Sequence, residues 1–359
     1  MAPKLPELRQ AIDSLDDELL RLLNERARLV KEVGALKAAL KQPFYVPERE
    51  RQILERMTAQ NPGPFPSEAL RPVFSEIISA CLSLEHPLRV AFLGPEATFT
   101  HMAARARFGL SARYVPAATV AGVFAEVEKG LAELGVVPIE NSTEGVVNST
   151  HDVLIDSELC ITAEIAMHVS QCLLTRSGTL DGVQKIYSHP QALGQCRHWL
   201  STNLPQAAQI EVASTALAAR LTRDDPVAAA VASELAGHLY DLKVAKRKIE
   251  DEVRNVTRFL VIGREPAPAT GRDKTSILFS LKDSAGVLYK VLQPLADAGI
   301  NLSRIESRPS RKRLWDYVFF IDVDGHASEP SVQAALAALR DSCEFVKVLG
   351  SYPRAEAQE

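Results

Sequence analysis

The sequence predicts three blocks: an all-helical N-terminal block, a two-lobed α/β middle block and a small α+β C-terminal block. Three observations carry this prediction. From Leu8 to Leu40 apolar residues recur at alternating steps of four and three, the signature of a long helix packed on other helices. From Leu88 to about Gly263 buried-strand runs alternate with helical stretches. Beyond the Pro/Ala/Thr/Gly linker from Glu265 to Gly271, the order reads strand, helix, strand, strand, helix, strand.

In the first block, residues 1–88, the seam runs Leu8, Ile12, Leu15, Leu19, Leu22, Arg26, Leu29, Val33, Leu36, Leu40. Pro43 and Pro47 break that helix, and a second runs from about Glu48 through Met57. The breakers Asn61 to Pro66 follow. Ser67 and Glu68 then open a third helix with apolar positions Leu70, Val73, Phe74, Ile77, Ile78, Cys81 and Leu82, and with Pro72 expected in its first turn. The middle block, residues 89–264, has strands at Leu88–Pro95, Leu134–Ile139, Val183–Tyr187 and Thr257–Gly263, and is long enough to form two lobes with a cleft. In the last block, residues 274–353, strands at Lys274–Leu281, Ile300–Glu306, Leu314–Val323 and Glu344–Leu349 flank helices at Gly286–Ala298 and Ser331–Leu339, a ferredoxin-like βαββαβ order.

Two or three domains fit 359 residues, and 46% hydrophobic with 24% charged residues fits an ordinary globular chain. A net charge of -4 makes no case for nucleic acid. No apolar run reaches membrane-spanning length and Met1-Ala2-Pro3-Lys4 begins no signal peptide, so a cytoplasmic location with no membrane partner is expected. The five cysteines form no C-x-x-C pair, which argues against disulfides and zinc. Without a secretory signal, the sequons at Asn141, Asn148, Asn255 and Asn301 should stay unmodified. Phosphate-loop, dinucleotide, H-E-x-x-H and G-x-S-x-G templates are absent, and Asp322 to Gly325 reads as a hairpin turn rather than a calcium loop. No metal or cofactor is expected.

Arg26 is the misplaced charge. A guanidinium does not deprotonate to escape burial, so at a seam position it needs an anion: Glu25, Glu50 or a bound carboxylate. Lys37, eleven residues on, lies within roughly 20° of Arg26 around the helix and about 16 Å along it, so the two side chains converge on a small dianion. Arg9 lies about 25 Å from Arg26 and roughly 100° around, and reaches the same pocket only from an antiparallel partner chain. The alternative is that Arg26 snorkels and Lys37 is solvated.

In the middle block Gly94–Thr100, Pro138–Gly145, Ser188–Gln191 and Asn255–Phe259 bring hydroxyls, amides and one arginine to strand ends. Such groups bind a carboxylated small molecule and protonate a leaving hydroxyl, although Asn, Ser and Thr also build turns and caps. In the last block Gly286-Val287-Leu288-Tyr289 starts a helix whose free N–H groups can hold a carboxylate, and Glu306-Ser307-Arg308-Pro309 ends a strand.

On these motifs the chain resembles the bifunctional chorismate mutase/prephenate dehydratase family over nearly its whole length. The resemblance implies a helical mutase of the AroQ type forming an intertwined dimer, a dehydratase with lobes like those of periplasmic binding proteins, and an ACT regulatory domain. By resemblance, Arg26 and the partner chain's Arg9 would clamp the two carboxylates of chorismate. Lys37 would hydrogen-bond the ether oxygen, Arg49 would add positive field and Glu50 would hold the ring hydroxyl. Val46 and Cys81 fall at further contact positions. Glu85 stands where a well-known relative has glutamine. A carboxyl donates only when protonated, so a mutase step favoured by mildly acidic pH is expected.

For the dehydratase, the resemblance makes Thr257 the proton donor in the loss of the ring hydroxyl. Arg258 would stabilise an anionic group of prephenate or position Thr257. Thr98, Phe99, Asn141, Ser142, Thr143, Glu144, Ser188, Gln191 and Phe259 would line the cleft. Ala97 replaces a glycine frequent in relatives, at a cost if φ is positive. In the regulatory block Gly286, Val287, Leu288, Asn301, Leu302, Glu306, Ser307, Arg308 and Pro309 would bind L-phenylalanine across a dimer interface and give feedback inhibition. A homodimer or higher homo-oligomer is implied. Two other readings stay open: a non-catalytic phenylalanine sensor, and a dehydratase whose N-terminal helices only dimerise. Arg26, Lys37 and Glu50 together argue against a pure dimeriser.

Overall fold

The computed structural model describes residues 4–40, 42, 44–143, 145–252, 255–281, 285–309 and 317–355. They form two compact units, residues 1–89 with 105–113, and residues 90–104 with 114–359. Among the described residues no helix is long and apolar enough to cross a membrane, and no His, Cys, Asp and Glu group could hold a metal ion.

The first unit contains helices α1 (Leu5–Leu40), α2 (Pro47–Gln60) and α3 (Ser67–Glu85). Helix α1 buries one residue, Gly34, where a methyl would come within 3.0 Å of the Glu85 side chain of α3. That close approach needs glycine. The rest of the seam was expected against other helices, yet Ile12, Leu15, Leu19, Leu22, Leu29 and Leu36 are exposed in the single chain. A single chain does not supply cover for the length of a 36-residue helix. Pro72 lies inside α3, one turn further in than expected.

The second unit begins with β1 (Arg89–Leu93), α4 (Phe99–Phe108), β2 (Arg113–Ala117), α5 (Val120–Glu128), β3 (Leu134–Asn141), β4 (Gly145–Val146), α6 (Asn148–Asp156) and β5 (Cys160–His168). The second lobe follows as β6 (Cys172–Thr175), β7 (Lys185–Ser188), α7 (Pro190–Gln195), α8 (Arg197–Asn203), β8 (Ala208–Glu211), α9 (Thr215–Asp224), β9 (Ala228–Ala232), α10 (Glu234–Leu239) and β10 (Lys243–Lys246). Strand β11 (Val256–Gly263) then returns to the first sheet, whose order is β2-β1-β3-β11-β5 with β4 beside β3, while the second sheet runs β10-β6-β9-β7-β8. Strand β9 is wholly buried Ala-Ala-Ala-Val-Ala, a sequence with little branched or aromatic strand signal, which explains why the pattern missed it.

The chain crosses between the two lobes after β5 and before β11. The Val169 N–H donates to the Asn255 carbonyl (2.8 Å) and the Ile249 N–H to Gln171 (3.0 Å), so the crossings are tied together.

The C-terminal block contains β12 (Asp273–Ser280), α11 (Val287–Asp297), β13 (Leu302–Pro309), β14 (Tyr317–Asp324), α12 (Pro330–Ser342) and β15 (Phe345–Pro353), the expected βαββαβ order with sheet order β13-β14-β12-β15. Its Leu278, Val318, Phe320, Leu349 and Tyr352 share one apolar core with Ile139, Leu154, Ile161 and Leu260 of the first lobe. At the tightest point, a methyl on Gly350 of β15 would collide with the Ile161 backbone of β5.

Candidate functional site

In the helical unit, burial and pairing single out Arg26. Both of its candidate internal partners are engaged elsewhere: Glu25 with Arg21 (3.0 Å), and Glu50 with Arg107 (3.1 Å) and the Tyr45 hydroxyl (3.4 Å). The Arg26 Nη1 atom is buried and has no hydrogen-bond partner among the described residues. Lys37 Nζ donates to the Phe44 carbonyl (2.8 Å) and lies 3.3 Å from the Glu85 carboxylate, which Gly34 lets close to α1. Glu50 and Cys81 are buried, Val46 is half-buried, and Arg9 and Arg49 are exposed. Arg107 and Tyr45 had no motif to mark them. Burial pushes the Tyr45 hydroxyl well above the usual range, so it stays a neutral hydrogen-bonding group beside Glu50.

The second constellation lies where the lobes meet. The register places Thr257 of β11 directly opposite Asn141 of β3. The Thr143 N–H donates to Asn141 Oδ1 (3.0 Å), which fixes the orientation of that amide because a backbone N–H only donates. Asn141 Nδ2 therefore donates to Thr257 Oγ1 and to Asn255 Oδ1, both at 2.7 Å. The hydroxyl oxygen of Thr257 is occupied as an acceptor, leaving its proton to be given away. Thr143 and Asn255 line a cavity of about 140 Å³ with Gly194, Gln195, Glu250, Asp251 and Glu252.

Other expected cleft residues are spent on the fold. Ser188 is fully buried and its hydroxyl donates to the Val231 carbonyl (2.6 Å). Phe259 is 1% exposed, so its ring is core. Thr98 donates to the Leu93 and Pro95 carbonyls and accepts from the His101 N–H, the turn chemistry of a short hydroxyl side chain. Ser142 accepts from the Val256 N–H (3.0 Å), bracing β11. Phe99 is half-buried at the start of α4, Gln191 is exposed, and Glu144 lies outside the described residues. Ala97 has φ 69° and packs in the second lobe's core, held by Ser233 donating to its carbonyl.

Arg258 points away from Thr257, as alternation along a strand requires. Its guanidinium meets Glu164 (2.7 Å), Asp322 of β14 (2.7 Å) and the Tyr352 hydroxyl of β15 (3.0 Å). Lys274 adds a second cation on Glu164 (3.0 Å). Burial opposes the charge on Asp322, but Arg258 and Ser276 outweigh it and hold the carboxyl below the usual range. No motif marks Glu164, Asp322 and Tyr352 as residues that converge here.

In the C-terminal block Gly286, with φ 75°, caps α11, a conformation glycine adopts at no steric cost. Val287, Leu288 and Leu302 pack on one core, and Asn301 donates to Asp324 (3.3 Å). On edge strand β13, Glu306 and Arg308 are half-buried while Ser307 and Pro309 are exposed. Arg308 is drawn onto α6, donating to the Asn148 carbonyl (2.8 Å) and pairing with Asp152 (3.3 Å).

The chain matches the family models for chorismate mutase type II over residues 8–86, prephenate dehydratase over residues 90–267 and the ACT domain over residues 275–341. It is 51% identical to the bifunctional chorismate mutase/prephenate dehydratase of Aquifex aeolicus, covering 99% of both chains. It is 44% identical to that of Pseudomonas aeruginosa, covering 98% of each. A solved prephenate dehydratase from Arthrobacter aurescens, in complex with L-Phe, superposes with a TM-score of 0.70 at 37% identity, over 76% of this chain and 91% of that one. The chain belongs to the bifunctional chorismate mutase/prephenate dehydratase family.

Proposed function

From that membership we propose that the chain converts chorismate to prephenate in its helical unit and prephenate to phenylpyruvate between its lobes, with L-phenylalanine as feedback inhibitor. The mutase reading rests on Arg26, whose buried guanidinium nitrogen has no partner among the described residues, on a helix whose apolar seam is exposed. A carboxylate of chorismate satisfies it, joined by Arg9 from a second copy. Lys37 faces the ether oxygen, where charge develops as the C–O bond breaks and the new C–C bond forms. In this reading Arg49 adds positive field, Glu50 holds the ring hydroxyl, and Val46 and Cys81 wall the pocket. Glu85, 3.3 Å from Lys37 Nζ, steadies the ammonium that faces the ether oxygen, so Glu85→Gln should change mutase kcat. An unchanged kcat would sink that role.

The dehydratase reading rests on the polarity of the Asn141–Thr257 bond. The ring-to-carboxylate bond of prephenate breaks and carbon dioxide departs. The released electron pair passes through the ring and expels the hydroxyl, which leaves as water with the Thr257 proton; Thr257 recovers a proton from solvent. Asn141 positions Thr257, and Arg258 positions the strand rather than touching substrate, since its donors are taken. The experiment supplies chorismate and follows prephenate and then phenylpyruvate, with and without L-phenylalanine. Thr257→Ala should stop phenylpyruvate formation and spare the mutase; retained dehydration overturns the assignment. L-phenylalanine failing to lower turnover removes the regulatory part. We place that ligand at Gly286 to Leu288 with Asn301, Leu302 and Glu306 to Pro309, and the enzyme in the cytoplasm as a homodimer or larger assembly.

A further inference from the structure

We propose that Asn255 is a substrate-contacting residue of the dehydratase cleft, its Nδ2 donating to the leaving hydroxyl of the ring. The proposal rests on the dehydratase reading above and deepens it. The Thr143 N–H donates to Asn141 Oδ1 and so turns Asn141 Nδ2 toward both Thr257 and Asn255. Asn255 must then present its oxygen to Asn141, and its own Nδ2 is turned the other way.

That nitrogen is buried in a residue 2% exposed and has no hydrogen-bond partner among the described residues. Leaving a buried donor unpaired is costly, a penalty that a ligand oxygen removes. Asn255 lines the cavity of about 140 Å³ with Thr143, Gln195 and the three carboxylates Glu250, Asp251 and Glu252. The backbone holds two of those acids: Glu250 accepts from the Gln171 N–H (2.8 Å), and Asp251 from the His198 (2.9 Å) and Trp199 (3.1 Å) N–H groups. The described lining carries no cation, so a neutral hydroxyl is favoured there over a carboxylate.

Position supports the same assignment. Asn255 and Thr257 stand two residues apart, on one face of an extended segment, and both accept from the same nitrogen. One donor holds the oxygen of the leaving group while its neighbour delivers the proton. Asn255 also joins the two crossings through its carbonyl, which accepts from the Val169 N–H, so the donor sits where the lobes hinge.

The test is Asn255→Asp, which keeps an oxygen for Asn141 but replaces the donor with a carboxylate. We expect kcat/KM for prephenate to fall about 10- to 100-fold with mutase turnover unchanged, and to recover partly as acidification protonates the new carboxyl into a donor. A merely structural asparagine predicts wild-type rates with no such pH response. A second measurement needs no variant: a competitive inhibitor lacking the ring hydroxyl should bind the wild-type enzyme about tenfold more weakly than its hydroxylated counterpart. That difference should shrink in Asn255→Ala, where Thr257 alone still meets the hydroxyl. Wild-type kcat/KM in Asn255→Asp, or equal binding of the two inhibitors, overturns the assignment. If Thr257→Ala is inactive in the same preparation, only the role of Asn255 fails; if Thr257→Ala is also fully active, the dehydratase reading of the cleft fails with it.

Discussion

Successive side chains of β11 leave the sheet on opposite faces, so Thr257 and Arg258 answer to different neighbours. A three-residue motif thus serves two surfaces: the hydroxyl faces Asn141, the guanidinium faces Asp322 and Tyr352, and the phenyl ring of Phe259 is buried. His151 is a second group controlled by its surroundings. It is fully buried against Phe320, with Nδ1 beside the Val147 carbonyl (3.2 Å) and Nε2 near Arg304 (3.4 Å). Burial pushes the imidazole down to about 4. Between that value and the ordinary 6.5 the unfolded chain binds a proton that the folded chain refuses, so stability is full above 6.5 and falls as pH drops toward 4. The loss should be on the order of 3 kcal/mol, and His151→Gln should remove that part of the slope in denaturant titrations across this range. The motif residues were legible because their types and spacing were distinctive. Asn255 stood only within a polar stretch at a strand end, and its amide nitrogen, unpaired among the described residues, depends on a hydrogen-bond direction set more than a hundred residues away in the chain.

At the scale of elements, the helix and strand order of the C-terminal block was legible because β12 and β14 carry apolar runs and α11 an amphipathic stripe. The second lobe was less so: β9 is built from alanine, and β6, β8 and β10 have four residues each, too few to establish a period. Contacts between elements were not legible at all. Gly350 lies beyond the strand the pattern assigned, and its lack of a side chain lets β15 approach the β5 backbone at Ile161. Gly350→Ala should therefore cost about 1–3 kcal/mol in unfolding free energy, with far-UV circular dichroism almost unchanged. A variant as stable as the parent would show that the two strands separate readily.

For the whole molecule, the exposed seam of α1 is the feature on which the proposed second copy rests. Ile12, Leu15, Leu19 and Leu22 make an apolar stripe that a lone chain leaves in water. If two chains share that stripe and exchange Arg9, mutase turnover per chain should fall at least tenfold on dilution below the dimer dissociation constant. Leu15→Glu should produce the same loss at any concentration, with light scattering reporting a smaller particle. Mutase activity that ignores both dilution and Leu15→Glu would refute the shared site. The Arg258 cluster has a consequence of its own for anyone exchanging modules between relatives. A transplanted C-terminal block must bring an acid and a phenol to the places of Asp322 and Tyr352, or the recipient keeps an orphaned guanidinium behind β11.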